Sequence, residues 1–275
     1  MGNGAVSVGE RPGVPLFTVV TPSYNQGRYI RDCIESVLQQ KEVTWEHIVI
    51  DGGSTDDTIE ILKQYPHLQW ISEPDRGMSD AINKGFLRAK GRWVMWLNTD
   101  DYLLPGALKK VADFAEAHPE ADVIYGYSYF VDESKRILRE KCEHKFDFLS
   151  LLFVGCYIQS TATFIKRDII QAGHLLDVEY RAAMDYEYYV RLTLKGYKFI
   201  YLPEPLACFR WHGDNLSLRQ RSVGRSIAEV FEIRKSALKR LGFGWLAKPP
   251  IMECLRQLLR LRRSILRFIE HRKFL

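Results

Sequence analysis

Hydrophobic and polar positions in the first hundred residues follow two alternating periods. Short runs rich in β-branched and aromatic residues predict buried strands. These runs lie at 17–21, 47–51, 68–71 and 92–97. Between them, apolar residues recur at helical spacing after turns rich in Gly, Pro, Asn and Asp. The pattern therefore predicts β-α-β-α-β-α-β, which is typical of a parallel sheet with right-handed crossovers.

This alternation is lost after residue 101, and the second half of the chain is predicted to be mixed. Helices are predicted from 105 to about 117, over 183–194, over about 221–241 and after Pro249. Strands are predicted over 122–131 with a return strand, over 159–165, and over 198–209 with interruptions at Pro203 and Pro205. An α/β fold with an irregular second half is the expected class.

The composition is that of a folded globular protein, because 46% of the 275 residues are hydrophobic and 27% are charged. The longest apolar stretch, 148–158, has about half of the roughly 20 residues that span a bilayer. The Gly-rich segment 1–15 lacks a signal-peptide core and is expected to be a flexible arm. Five scattered cysteines without a CxxC spacing argue against a zinc site and favour a reducing, cytoplasmic compartment.

The net charge of +5 resides in the last 25 residues, which carry seven Lys or Arg and two Glu. The first 250 residues are neutral, which argues against a nucleic-acid partner. On a helical wheel, Arg256, Arg260, Arg263 and Arg267 form one stripe, and apolar residues cover the other side. Segment 251–273 is thus predicted to lie on an anionic membrane surface, or to dock its apolar face on the fold or a second subunit.

Two adjacent carboxylates, Asp100 and Asp101, follow the predicted strand 92–97. Ligands of open α/β sheets bind outside the carboxyl ends of the strands, so the pair is predicted to hold a divalent cation that in turn binds a diphosphate. The alternative is a turn before the next helix. Neither a G-x-G-x-x-G fingerprint nor a P-loop follows the first strand, so metal and arginine would have to neutralise a bound phosphate.

Five stretches, in this order, resemble family-2 glycosyltransferases with a GT-A fold, especially bacterial enzymes that build surface polysaccharides. They are TVVTPSYN (18–25), IVIDGGSTDDT (48–58), GMSDAINKG (77–85), LNTDD (97–101) and AMDYE (183–187). The resemblance covers about 16–215. It implies a Rossmann-like, mostly parallel central sheet in a catalytic domain at 16–218, with a nucleotide-binding half (16–101) and an acceptor half (102–218). Residues 219–275 form a C-terminal helical extension.

The implied reaction is an inverting transfer of a sugar from a nucleotide-diphosphate donor, expected to be a UDP-sugar, to a hydroxyl of a glycan or lipid-linked acceptor. Asp51 would accept a hydrogen bond from the nucleobase, Tyr24 would offer it an aromatic face, and Arg76 would lie near the phosphates or ribose. The residues implied to bind the nucleotide sugar are Pro22, Tyr24, Asn25, Asp51, Arg76, Asp80, Asn98 and Asp100.

The resemblance also implies a Mg²⁺ or Mn²⁺ site formed by Asp100, Asp101 and His212. Asn98 stands where the family often has Asp, so this site has one negative charge fewer. Asp185 is the implied general base, or otherwise the N-cap of its helix. Gln159 and Glu187 are assigned to the acceptor side.

Two other functions compete with this interpretation. A nucleotidyltransferase would share the nucleotide-binding half but usually carries a Gly-rich basic loop after the first strand, which 22–27 lacks. A non-catalytic nucleotide-sugar or glycan-binding module would not need Asp185. The expected location is the cytoplasm, or the inner face of the plasma membrane as a peripheral protein, and the sequence does not predict the oligomeric state.

Overall fold

The computed structural model describes residues 13–213, 215 and 220–271, with the side chains of 220–223 left out. Most of the predicted N-terminal arm (1–12), residue 214 of the late polar loop, and Arg272 and Lys273 of the basic tail lie outside the described residues. Predictions about those positions stay predictions.

Nine strands and eight α-helices make up the described part of the chain. The strands are β1 (Phe17–Ser23), β2 (Trp45–Asp51), β3 (Gln69–Ser72), β4 (Trp93–Trp96), β5 (Tyr102–Leu103), β6 (Val123–Val131), β7 (Ile137–Lys141), β8 (Thr163–Lys166) and β9 (Phe199–Arg210). The helices are α1 (Gly27–Leu38), α2 (Thr58–Leu62), α3 (Met78–Phe86), α4 (Ala107–Ala117), α5 (Arg167–Gln171), α6 (Met184–Leu194), α7 (Gln220–Arg240) and α8 (Pro249–His271).

All nine strands form one sheet in the order β3-β2-β1-β4-β8-β6-β9-β5, with β7 paired to β6. Strands β1 to β4 are parallel, which confirms the prediction for the first half. In the second half, β6 and β9 are parallel to each other, and β8 runs antiparallel between β4 and β6. The carboxyl ends of β1, β2, β3, β4, β6 and β9 therefore share one edge of the sheet, where an α/β protein binds its ligand.

Two predictions for the second half were wrong in detail, and one short strand was missed. The strand expected at 159–165 begins only at Thr163, because Ser160–Ala162 forms a 3₁₀ turn. The strand expected to break at its prolines is continuous, since Pro205 lies opposite Tyr127 where the pairing with β6 shifts register. The two-residue β5 was not predicted, because it exists only through its pairing with β9.

Apolar side chains pack on both faces of the sheet. One face is covered by α3, α6, α7 and α8, around large buried aromatic residues such as Trp96 and Tyr189. The other face is covered mainly by α1 and α4. Met252 of α8 and Ile233 of α7 belong to the first of these cores, so the C-terminal helices pack on the same face of the sheet as α3 and α6.

Helix α8 packs against the fold, but only part of the apolar face that the helical wheel predicted is buried. Leu255 and Leu259 pack against the core, and Arg263 pairs with Glu143 at 2.7 Å on the same inward side. The outward side carries a row of exposed apolar residues: Leu258, Leu261, Ile265 and Ile269. Among the described helices, none combines the length and the apolar character that crossing a membrane requires.

Candidate active site

The loop after β2 surrounds Asp51, which is fully buried at the carboxyl end of the strand. Its carboxylate accepts hydrogen bonds from the backbone N–H groups of Gly53 (3.0 Å) and Ser54 (2.8 Å) and from the Ser72 hydroxyl (2.7 Å). The Ser54 hydroxyl donates to its other oxygen. A carboxylate has about four acceptor positions, and Asp51 already accepts four hydrogen bonds from Gly53, Ser54 and Ser72. Its predicted bond to a nucleobase stays a prediction.

The β1 loop presents an aromatic ring to solvent at the same edge. Pro22 lies within β1 opposite Ile50, and the following Tyr24 is 61% exposed. Asn25 adopts a left-handed conformation (φ 52°), and its side-chain oxygen accepts a hydrogen bond from the Thr55 backbone N–H at 2.8 Å. Asn25 therefore holds two loops together, and Tyr24 is the side chain that faces outward.

Asp75 lies beside Tyr24, and sequence reasoning did not single it out. A Cβ atom on Gly52 would fall 2.6 Å from Asp75 Oδ2 and 3.4 Å from the Tyr24 ring. Gly52 therefore lies between the Asp75 carboxylate and the Tyr24 ring, in a space too narrow for a side chain. Asp75 also accepts a hydrogen bond from the Gly77 N–H at 2.7 Å, and this D-x-G turn was the available signal in the sequence.

Arg76 and Asp80 form an ion pair at the start of α3, with 3.1 Å between Arg76 Nη2 and Asp80 Oδ1. The arginine side chain is 73% exposed, whereas that of the aspartate is only 14% exposed. Burial would raise the pKa of Asp80, but hydrogen bonds from Arg76 and the charges of Arg76 and Lys84 lower it below its ordinary value. Asp80 is therefore ionised at neutral pH, and Arg76 is the more accessible partner.

Asp100 meets the late loop after β9. His212 Nε2 lies 3.0 Å from Asp100 Oδ2, and the Asn215 side-chain amide donates to the same oxygen at 3.3 Å. The Tyr29 ring stacks on His212 with 4.8 Å between centroids. Two predicted metal ligands that are 112 residues apart in sequence are thus brought into direct contact.

Asp101 points the other way, into the protein. It is fully buried and accepts a hydrogen bond from the Arg210 backbone N–H at 3.0 Å. Burial, with a smaller contribution from the charge of Asp100, raises the pKa of Asp101 well above its ordinary value. This carboxylate anchors β9 to the end of β4, so its predicted role as a metal ligand stays a prediction.

The residues near Asp100 fit a hard divalent cation in part. Among the described residues, no three His, Cys, Asp or Glu side chains gather into a metal-binding group. The Asn98 side-chain oxygen, however, is buried and makes no hydrogen bond within the described part of the chain. A carboxylate, an imidazole and this amide oxygen are suitable donors for Mg²⁺ or Mn²⁺, which also bind phosphate oxygens and water.

Asp185 lies in the first turn of α6, and the Cys156 thiol is 3.9 Å from its Oδ2 atom. Burial raises the pKa of Asp185, while the Tyr186 N–H and the positive charge of Lys141 partly offset that rise. A carboxylate with a raised pKa is suited to accept a proton near neutral pH. The other predicted acceptor-side residues are engaged: Glu187 pairs with Arg191 at 2.7 Å, and Gln159 donates to the Lys141 carbonyl at 3.1 Å.

Helix α7 holds the segment that leads into α6. The Glu229 carboxylate accepts hydrogen bonds from the backbone N–H groups of Arg181 (3.2 Å), Ala182 (2.9 Å) and Ala183 (2.8 Å). No sequence signal indicated this role, because Glu229 lies more than 40 residues away in a polar helix. Glu229 therefore fixes the position from which Asp185 projects.

The first turns of α3 and α6 touch. The Ser79 hydroxyl lies 3.0 Å from Met184 Sδ, and Asp80 and Asp185 are the next residues along the two helices. Asn83 strengthens the junction, because its side chain both donates to the Leu176 carbonyl (2.8 Å) and accepts from the Leu176 N–H (2.9 Å). The two halves of the chain thus meet where α3 and α6 begin.

Comparison with known proteins identifies the family to which this sequence is similar. The profile of Glycosyl transferase family 2 matches residues 18–173. A teichuronic acid biosynthesis glycosyltransferase, TuaG of Bacillus subtilis, is 32% identical over 213 residues, covering 74% of this chain and 82% of TuaG. Hyaluronan synthase of Pasteurella multocida is 26% identical over 83% of this chain but only 24% of its own length.

Solved structures share the fold at low sequence identity. Staphylococcus aureus TarS 1–349 in complex with UDP-GlcNAc superposes with a TM-score of 0.61 at 18% identity, covering 82% of this chain and 72% of the TarS 1–349 chain. A mannosyltransferase of Pyrobaculum calidifontis, in complex with GDP-Man and Mn²⁺, has a TM-score of 0.55 at 16% identity and covers 91% of this chain and 81% of its own. Both likenesses concern the fold alone.

Replacing Glu229 by Ala tests the support of the α6 segment. We expect the free energy of unfolding to fall by about 2 kcal/mol, because three N–H groups lose a charged acceptor. The control is Glu232→Ala on the same helix, whose exposed pair with Lys235 at 3.4 Å should contribute less than about 0.5 kcal/mol. Urea denaturation measures both variants, and equal losses would contradict the role of Glu229.

Proposed function

Because this chain belongs to glycosyltransferase family 2, we propose that it is an inverting enzyme that transfers a sugar from a nucleoside diphosphate to an acceptor hydroxyl in surface-polysaccharide synthesis. The observation that carries the proposal is Asp185, a carboxylate with a raised pKa at the junction of the two halves. A single displacement needs one such base and no covalent nucleophile.

In this mechanism Asp185 accepts the proton of the acceptor hydroxyl. The oxygen lone pair forms the new bond to the anomeric carbon while the bond from that carbon to the diphosphate oxygen breaks. The electron pair leaves with the diphosphate, and the configuration at the anomeric carbon inverts. Glu229 contributes by fixing the start of α6, so the base is held in place before the acceptor arrives.

We propose a uridine diphosphate sugar as the donor. The exposed ring of Tyr24 is suited to stack on a flat base, with Asp51 and Asp75 as the nearby carboxylates. Arg76, held by Asp80, provides an exposed guanidinium for the ribose or the phosphates. The TarS complex with UDP-GlcNAc supports this choice through a shared fold.

A divalent cation, Mg²⁺ or Mn²⁺, is proposed at Asp100 and His212, with Asn98 supplying its unpaired amide oxygen. When bound, the cation would neutralise negative charge on the leaving diphosphate. The related mannosyltransferase structure contains Mn²⁺, which supports this choice of metal. Asp101 contributes indirectly, since it fixes Arg210 two residues before His212.

The outward row of α8 is proposed to contact a membrane that carries anionic lipid. Leu258, Leu261 and Ile265 are 48–68% exposed along one side of the helix, and Arg262, which pairs with Asp147 at 2.6 Å, is exposed beside them. Exposed apolar residues in a row rimmed by cations are typical of a helix that lies in the lipid headgroup region. This contact would bring the enzyme close to a lipid-linked acceptor.

Replacing Asp185 by Asn tests the base. We expect the transfer rate with UDP-sugar to fall by about 10²–10⁴-fold, while the affinity for UDP stays unchanged. In the wild type, protonation removes the base, so the rate should fall as the pH drops through a pKa above the ordinary 3.8. Asp168→Asn, in the exposed first turn of α5, is the control and should keep full activity. Wild-type transfer by Asp185→Asn would contradict the mechanism.

Thermal stabilisation by UDP tests the metal. With Mn²⁺ present and UDP at about 100 times its Kd, we expect stabilisation by about 2.7 kcal/mol, and less when EDTA removes the metal. Asp100→Asn should lose the Mn²⁺-dependent part. Asp113→Asn, which breaks only a surface pair with Lys109, should retain it. A UDP-induced shift that is identical with and without Mn²⁺ would exclude a metal from donor binding.

Cosedimentation with vesicles tests the membrane contact. The double variant Leu261→Ser, Ile265→Ser should bind phosphatidylglycerol-containing vesicles at least tenfold more weakly, because each buried aliphatic side chain contributes about 1.5–3 kcal/mol. The double variant Gln257→Ala, Ser264→Ala changes exposed polar positions of the same helix and should bind as the wild type does. Equal binding by both variants would refute the proposed contact.

A further inference from the structure

Strand β7 carries two cations that have no acidic partner among the described residues. The Arg139 guanidinium carbon lies 4.3 Å from the centre of the Phe130 ring, and Lys141 Nζ lies 5.5 Å from it. Within the described part of the chain, neither side chain makes an ion pair or a hydrogen bond. Both cations therefore converge on one aromatic ring and leave their hydrogen-bond donors for another group.

Other basic residues nearby behave differently. Arg28 pairs with Glu133, Lys135 pairs with Asp32 at 2.7 Å, and Arg136 pairs with Asp132 at 3.1 Å. The β6–β7 hairpin thus satisfies its cations wherever an acid is in reach. Burial lowers the pKa of Lys141, with the charge of Glu143 partly offsetting that effect. Because partial burial disfavours the charged form of Lys141, an anionic ligand beside it would stabilise that form, and the exposed Arg139 leaves its donors open to the same ligand.

The two cations belong to the acceptor half of the site. Gln159, on the acceptor side of the sequence prediction, donates to the Lys141 carbonyl at 3.1 Å. The charge of Lys141 also acts on Asp185. The Trp211 ring lies 5.8 Å from the Phe130 ring. Trp211 is 39% exposed and directly precedes His212 in the chain. An aromatic and basic surface therefore extends from the donor loop towards the base.

We propose that Arg139 and Lys141 bind an anionic group of the acceptor, a carboxylate or a phosphate, while an acceptor sugar ring packs on Trp211. This inference rests on the proposed glycosyltransferase function and specifies its acceptor as a charged chain. A guanidinium can grip either anion through two parallel hydrogen bonds, and the lysine adds a point charge. An indole face suits the apolar face of a sugar ring.

The test measures binding of three oligosaccharide probes to the full-length enzyme saturated with UDP and Mn²⁺, by isothermal titration calorimetry. A hexamer of glucuronic acid carries carboxylates, an oligomer of glycerol phosphate carries phosphates, and cellohexaose is neutral. We expect one anionic probe to bind at least tenfold more tightly than cellohexaose, and its identity tells which anion is recognised. The double variant Arg139→Gln, Lys141→Gln should lose that preference.

Two controls separate binding from folding. Arg136→Gln removes a cation of the same hairpin that already has a partner, so the preference should persist. Arg139→Lys, Lys141→Arg should keep at least part of it, since both charges remain. If the cations serve only to pack on Phe130, the Gln variant should melt at a lower temperature with its binding preference intact, and that result overturns the proposal.

Three other results also overturn it. They are wild-type binding of neither anionic probe, an equal loss of binding in Arg136→Gln, and a loss of UDP affinity in the Gln variant, which would assign the cations to the donor. Failure of the glycosyltransferase mechanism would appear elsewhere, as undiminished transfer by Asp185→Asn. Because the probes are scored by binding and the mechanism by transfer, the two failures are distinguishable.

Discussion

Arg210 makes the interaction on which the arrangement of the site depends. Its backbone N–H donates to the buried carboxylate of Asp101, and its side chain donates to the Asp100 carbonyl at 2.9 Å and to Asp32 at 2.6 Å. The guanidinium also lies over the Tyr29 and Tyr102 rings. One residue thereby fastens the end of β9 to the end of β4, although more than 100 residues separate them. Without this connection, neither His212 nor Asn215 would be held beside Asp100.

The C-terminal helices support α6 and the strands beside it from outside the segment that the family profile matches. Glu229 of α7 holds the start of α6, and Arg234 donates to the Leu152 carbonyl at 2.8 Å in the π-helical turn Ser150–Val154. Arg263 of α8 pairs with the buried Glu143, two residues beyond Lys141. The position of α6 therefore depends on helices that a definition of the domain by its motifs would leave out.

Local sequence patterns predicted the features that short-range interactions determine. Strand ends, turns and acidic pairs are short-range features, so the parallel first half was predicted correctly, and family membership confirms a glycosyltransferase over the two competing functions. Contacts between distant segments escaped prediction. The hydrogen bonds that occupy Asp51, the inward orientation of Asp101, the role of Glu229 and the unpaired cations of β7 arise only when separate elements pack together. The spacing of apolar and polar residues along the sequence does not specify such long-range contacts.

The close approach of Gly52 to the Asp75 carboxylate couples positions 52 and 75. A side chain at 52 would bring its Cβ atom to 2.6 Å from Asp75 Oδ2, so the Asp75 side chain would have to turn away to admit it. The two sites are therefore coupled, and a substitution at one alters which residues are tolerated at the other. A larger residue at 52 would therefore disturb first the Asp75 carboxylate and, through it, the hydrogen bond from the Gly77 N–H.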